Sequence, residues 1–294
     1  MTAKFSDAVA AWEARGKYMT IGDDRIFVID VPPAEAITGD SVFIVHGFPT
    51  CTFDWRGVVD ALAAGRRVVA FDQLGYGLSD KPDAPYSLFA QADLAEEVVK
   101  RHGLESVALV THDMGDSVGG ELLARSLEGT LGFEVSRRVV SNGSIYLDEA
   151  GLTDGQKLLR AMPDAKLPTE MGADPTGFFT TMRDIAGDTK PTDEELEAQW
   201  ELLCNKDGQL LMARTVKYLN ERAEHEGRWT GAIETHPAPL TIVWADKDPV
   251  AVWLMAEKLK EARPDANLIR LAGVGHYPMV EAPGPFADGV LGGI

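Results

Sequence analysis

The sequence of 294 residues predicts an α/β fold, a mostly parallel sheet flanked by helices with an inserted helical segment. Three observations lead there. Short β-branched runs alternate with helical patterns, which implies parallel strands covered on both faces. The runs disappear between about Ile145 and Ala232, where helical stretches punctuated by prolines take over. Several of the runs end in polar clusters, at the strand ends where open α/β sheets bind their ligands.

The runs read, in order, RIFVIDV (25–31), SVFIVHG (41–47), RVVAFD (67–72), SVALVTH (106–112), RRVVSNG (137–143), LTIVWAD (240–246) and ANLIRLAG (266–273). Each is short, rich in Val and Ile, and bounded by turn residues. Between two of them, SLFAQADLAEEVVKRHG (87–103) repeats apolar residues at Leu88, Ala92, Ala95 and Val99. Lys100 and Arg101 suit the negative end of the helix dipole, and Gly103 supplies a stop. In the segment without strands, Pro163, Pro168, Pro175 and Pro191 separate short pieces. Thr192 with Glu195 three residues on forms a capping box ahead of a helix, and a further apolar repeat runs through 210–227. Residues 145–232 are therefore expected to form a helical cap over a core made of 1–144 and 233–294.

Composition narrows the function classes. Forty-six acidic against 28 basic side chains leave a formal charge of -18 with no Lys/Arg-rich run. That balance repels phosphate backbones and anionic lipid, so neither nucleic acid nor membrane is an expected partner. The first eighteen residues hold no uninterrupted apolar stretch, and a cytoplasmic protein is expected. Cys51 and Cys204 lie far apart without ligand spacing, so they read as buried thiols, and no metal or cofactor is implied. A homo-oligomer stays open.

The chemistry concentrates in HGFP (46–49), HDMG (112–115), DKDP (246–249) and GHYP (275–278). In VTHDMG (110–115) a strand runs into a helix through a turn flanked by small residues, the place where a G-x-S-x-G pattern exposes a serine. Here the central position is Asp113. A serine must lose a proton to attack, whereas a carboxylate is already ionised at pH 7 and can displace a leaving group from a saturated carbon. Asp113 thus implies an alkyl electrophile and an ester intermediate, and its turn is expected to be exposed. His276, on a permissive Gly-rich loop, would activate the water that hydrolyses the ester, and Asp248 would hold the imidazole. The bland readings are a helix cap for Asp113, an Asp-Pro turn for Asp248, with Asp246 as a rival, and a packed loop histidine for His276. His46 and His112 read as turn-shaping residues. Ser117, one helical turn beyond Asp113, is a poor nucleophile candidate.

HGFPT, FDQLGYGLSDKP, HDMGD, DKDPV and GHYPMVEAP, in this order, resemble the α/β-hydrolases, and within them the branch of epoxide hydrolases and haloalkane dehalogenases. GKYMTIGDDRIFVID, SNGSI, KYLNER and RWTGAIE extend the resemblance to the mesoderm-specific transcript proteins over most of the chain. The resemblance implies an α/β-hydrolase fold, an oxyanion hole from the backbone N–H groups of Phe48 and Met114, and a cap tyrosine at Tyr218 that protonates a departing epoxide oxygen. Gly47 lets the oxyanion loop come close. A packed helix residue is the competing reading of Tyr218. Tyr146 is a substitute for a second tyrosine, while Trp200 and Trp229 support a halide site. The expectation is an epoxide hydrolase acting on a small hydrophobic substrate and water, with haloalkane dehalogenase and a non-catalytic ligand receptor as alternatives. Phe178, Phe179, Met182 and Trp200 are candidate pocket residues.

Overall fold

A computed structural model describes residues 5–294. Its strands are β1 (Gly16–Ile21), β2 (Asp24–Val31), β3 (Ser41–Val45), β4 (Val68–Phe71), β5 (Ser106–His112), β6 (Glu134–Ser141), β7 (Leu240–Ala245) and β8 (Asn267–Leu271). They form one sheet in the order β1-β2-β4-β3-β5-β6-β7-β8. The β1/β2 and β2/β4 pairs are antiparallel and every other neighbouring pair is parallel. Seven strands coincide with the apolar runs. β1 does not, because GKYMTI contributes no fully buried side chain and shows no alternation; it is held by pairing with β2 across a turn at Gly22.

Strand periodicity divides the core. Val42 and Ile44 of β3 enter one apolar cluster, and the intervening Phe43 and Val45 enter the other, as side chains alternate across a pleat. The helices Leu88–Arg101, Met114–Leu127, Tyr218–Thr235 and Trp253–Ala262 cover the second face. The helices Asp7–Arg15 and Pro283–Leu291 cover the first. Ser87 caps the Leu88–Arg101 helix by accepting from the Phe89 N–H.

Between β6 and β7 the chain forms no strand. It builds the helices Asp154–Ala161, Thr176–Asp184, Asp193–Cys204, Met212–Thr215 and Tyr218–Thr235, with the Thr192/Glu195 capping box in place. The last helix runs three residues past 232. Its second half packs on the Met114–Leu127 helix, where a Cβ on Gly120 would lie 2.8 Å from that of Trp229. The end of the inserted segment therefore belongs to the sheet's own helical layer. The Lys81 ammonium adds a tie by donating to the carbonyls of Leu202 (2.7 Å) and Asn205 (2.8 Å). Cys51 is buried, but Cys204 is only half-buried; burial pushes both thiols up. Among the described residues, no helix is long and apolar enough to cross a membrane.

Candidate active site

β5 delivers Asp113 into the turn that starts the Met114–Leu127 helix, with φ 50° and ψ -117°. A positive φ at a non-glycine residue is strained and persists where the surroundings over-determine it. Two glycines make that possible. A Cβ on Gly115 would come 2.3 Å from the Val45 carbonyl oxygen, and one on Gly47 would lie 2.6 Å from the Asp113 Cβ. The turn is thus pressed between the ends of β3 and β5. Asp113 is only 2% exposed, contrary to the exposed turn expected, because the 46–49 loop and Arg222 close over it.

The Asp113 carboxylate is held on one side. Its Oδ2 accepts the Phe48 N–H at 2.8 Å, and Oδ1 faces the His276 Nε2 at 3.8 Å. Met114 opens the helix, so its N–H has no intrahelical acceptor. On its other nitrogen, Nδ1, His276 bonds the Asp248 Oδ2 at 2.8 Å. Asp248 is oriented in turn: Oδ1 accepts from Val250 N (2.7 Å) and Ala251 N (3.1 Å), and Oδ2 also accepts from the Asn142 amide at 2.8 Å. Asp246, the rival, is spent on Arg270 and the Gly273 N–H. Burial works against a charge on His276, but Asp248 and then Asp113 raise it to about 9. The two acids that flank the ring thus favour its protonated form.

The neighbouring histidines are pushed toward their neutral forms. Burial and the charge of His276 drive His112 down to about 3, and its Nδ1 bonds the Ser141 carbonyl. Burial also lowers His46, whose Nε2 accepts from Gln73 N and whose Nδ1 bonds the Gly47 carbonyl. Both shape turns. The Ser117 hydroxyl accepts from Arg222 Nε at 2.7 Å and points to no base.

Tyr218 is buried with its ring centroid 5.4 Å from that of Phe48. Burial and the nearby Asp113 charge raise its hydroxyl far above the usual tyrosine value, while Arg222 opposes them. Tyr146 does not join it, because its hydroxyl donates to Glu234 at 2.7 Å. The tyrosines that do surround the turn are Tyr76, whose hydroxyl meets the Met114 sulfur at 3.4 Å, and Tyr277, which donates to the Phe48 carbonyl at 2.9 Å. Sequence reasoning assigned neither a role, nor did it reach Asn142. A signal for Asn142 existed: it is an Asn-Gly pair directly after a strand, and its φ of 49° suits an asparagine.

Above the site lies a cavity of about 330 Å³. Its floor includes Phe48, Val250, His276 and Tyr277, and its walls come from the inserted helices, among them Met162, Phe178, Met182, Trp200 and Met212. Among the described residues no Lys or Arg lines it, and Asp174 does. Three of the four expected pocket residues are there. Phe179 is not; its ring carries the Arg183 guanidinium 5.8 Å from its centroid. Trp229 is also elsewhere, its indole N–H donating to Glu121 at 2.9 Å.

Residues 42–289 match the model of the alpha/beta hydrolase family. The chain belongs to that family. LipZ of Mycobacterium tuberculosis is 40% identical over 97% of this chain and 98% of its own length. The mesoderm-specific transcript protein of Mus musculus is 31% identical over 98% of this chain and 88% of its own. Among solved structures, haloalkane dehalogenase DbeA from Bradyrhizobium elkani superposes with a TM-score of 0.76 at 20% identity, covering 94% of this chain and 96% of that one. Epoxide hydrolase CorEH gives 0.75 at 18% identity, covering 94% and 97%. At these identities the two structures bear on the fold of this family member and not on its chemistry.

Proposed function

We propose that this hydrolase opens epoxides to diols through an alkyl ester on Asp113, with residues 145–232 serving as the cap that walls the substrate cavity. The observation that carries the reading is the split state of the carboxylate: Oδ1 is turned toward the His276 side, and Oδ2 is held by the Phe48 N–H. One oxygen is available to attack, and the other sits where an oxyanion later forms and would be stabilised by fixed donors.

In the first step Asp113 Oδ1 bonds to an epoxide carbon, the carbon–oxygen bond breaks, and the Tyr218 proton passes to the departing oxygen. Esterification removes the Asp113 charge, one of the influences that hold His276 up near 9. The imidazolium then gives its proton more easily, and that proton passes to the Tyr218 phenolate, which restores the acid and leaves His276 neutral. Neutral His276 takes a proton from water, the hydroxide adds to the ester carbonyl, and collapse releases the diol. Asp248 keeps the ring oriented and stabilises its charged form.

An epoxide fits the surroundings better than a halide does. A departing halide needs N–H donors, and the side chains of Phe48 and Met114 offer none. Trp200, on the cavity wall, is the observation that favours a haloalkane as the second reading. The mainly apolar lining supports an apolar substrate, with Asp174 and His276 as the carboxyl and the imidazole on it. A dry cavity of about 150 Å³ holds one benzene ring, so on that scale 330 Å³ has room for roughly thirteen heavy atoms. The experiment is intact-mass spectrometry of His276→Gln after mixing with 1,2-epoxydecane or 1-bromodecane. The expected adduct carries the whole mass of the epoxide and maps to the peptide holding Asp113. An adduct only from the bromide, with bromide released, would establish the second reading. Wild-type turnover with no adduct in a folded variant would remove the alkyl-enzyme.

A further inference from the structure

Arg222 is 3% exposed, yet among the described residues it has no carboxylate at ion-pair distance. Its Nε donates to Ser117 Oγ at 2.7 Å, its Nη2 reaches the Asp113 carbonyl oxygen at 3.4 Å, and its Nη1 is buried without an acceptor. Its charge is felt by Asp116, also buried, whose Oδ1 is taken by the Thr111 hydroxyl and whose Oδ2 has no partner. Removing a cation from water with so few of its donors used is expensive, and an apolar side chain of similar volume would serve packing better. Apolar packing does not explain this arginine.

Its location does. Tyr218 and Arg222 lie four residues apart on the Tyr218–Thr235 helix, so both side chains leave the same face. The guanidinium carbon stands 5.1 Å from the Tyr218 ring centroid, over the face where a cation is attracted by the ring. On its other side the same group touches the backbone of the Asp113 turn. We propose that Arg222 is a positioning residue that fixes Tyr218 relative to the Asp113 turn and stabilises the tyrosinate left when Tyr218 gives up its proton. The inference rests on Tyr218 acting as the acid in epoxide opening. Proton balance is unchanged: the Tyr218 proton goes to the epoxide oxygen, and Arg222 keeps all of its own. Its charge lowers the cost of the anion on the ring, opposing the burial and the Asp113 charge that resist it.

The test uses Arg222→Met and Arg222→Lys alone and combined with Tyr218→Phe, with the rate of ester formation from 1,2-epoxydecane measured by rapid quench. Arg222→Met should slow that step about 30- to 100-fold, Arg222→Lys should recover part of the loss, and the Arg222→Met/Tyr218→Phe double variant should be no slower than Tyr218→Phe alone. A second arm does not need turnover. In protein carrying ring-¹³C tyrosine, the Tyr218 resonance is identified by its disappearance in Tyr218→Phe. It should shift in Arg222→Met more than the other five of the six tyrosines and return toward the wild-type position in Arg222→Lys. Ser117→Ala, which removes the Nε acceptor, should move it in the same direction if Arg222→Met does not fold. An unmoved Tyr218 resonance, or rate losses that multiply in the double variant, would overturn the proposal. Failure of the epoxide reading would show separately, as wild-type protein that opens no epoxide, and the resonance arm would still decide the role of Arg222.

Discussion

The two halves of the site are built on different terms. On the sheet side, the Met114–Leu127 helix buries eleven of its fourteen residues, and backbone turns at strand ends fix Asp113, Asp248 and His276. On the inserted side, the Asp154–Ala161 helix that borders the cavity buries none of its eight residues. Local stability follows buried apolar contact, so the Met114–Leu127 helix is expected to open only with global unfolding and the Asp154–Ala161 helix to open at much lower cost. In the proposed reaction, a firmly held centre beneath a loosely held wall would let a substrate enter without disturbing Asp113, Asp248 or His276. Tyr218 and Arg222 lie at the seam, on a helix that begins in the inserted segment and ends in the sheet's helical layer.

Substitutions on the rigid side should have the largest consequences. Asp113→Ala should abolish turnover by at least about 10⁴-fold, as expected for loss of a nucleophile, while circular dichroism stays native. Retention of a tenth of the activity would mean that no covalent ester forms there. Tyr218→Phe, at the seam, should slow epoxide opening roughly a hundredfold with KM little changed, the usual scale for a general acid. An unchanged rate would reduce Tyr218 to packing. Asn142→Ala removes the amide that bonds Asp248 and accepts from the Ala245 N–H, leaving buried groups unmatched. It should cost about 1–3 kcal/mol of stability and roughly tenfold in kcat, read by urea unfolding and initial rates.

Asp116→Asn tests the rigid side through pH. Burial raises the folded-state pKa of Asp116 to about 8 from an ordinary value of 3.8. A raised acid binds its proton more tightly when folded, so its ionisation penalty is absent below about pH 4, grows with pH, and is complete above about 8. The Asn variant should therefore match wild-type Tm near pH 4 and exceed it by a few degrees at pH 9. A constant difference across that range would show that Asp116 does not titrate as described. Least affected should be Leu158→Ser on the exposed helix, where 59% of the residue is accessible. Stability should change by no more than about 0.5 kcal/mol. A larger loss would erase the contrast between the two halves.

Much of this was legible in the sequence. The alternating runs gave seven strands because a parallel sheet buried on both faces needs continuous apolar segments, and helical periodicity marked the insertion. β1 was hidden because its residues are only partly buried and its pairing, not its pattern, holds it. At the site, the strand-end clusters put Asp113, Asp248 and His276 on one edge, since parallel strands end on the same side of a sheet.

The features readable along the chain were therefore local: the type of most elements, the position of the strand-to-helix turn, and the order in which the acidic and basic groups arrive. Only tertiary structure decided that Asp113 is buried, that Asn142 stands behind Asp248, that Tyr146 and Trp229 are committed to Glu234 and Glu121, and that Arg222 reaches the Asp113 turn. The reason is chain distance. The Asn142–Asp248 bond spans 106 residues and the Arg222–Ser117 bond 105, whereas helix and strand patterns repeat within a few residues and carry no information about partners so remote.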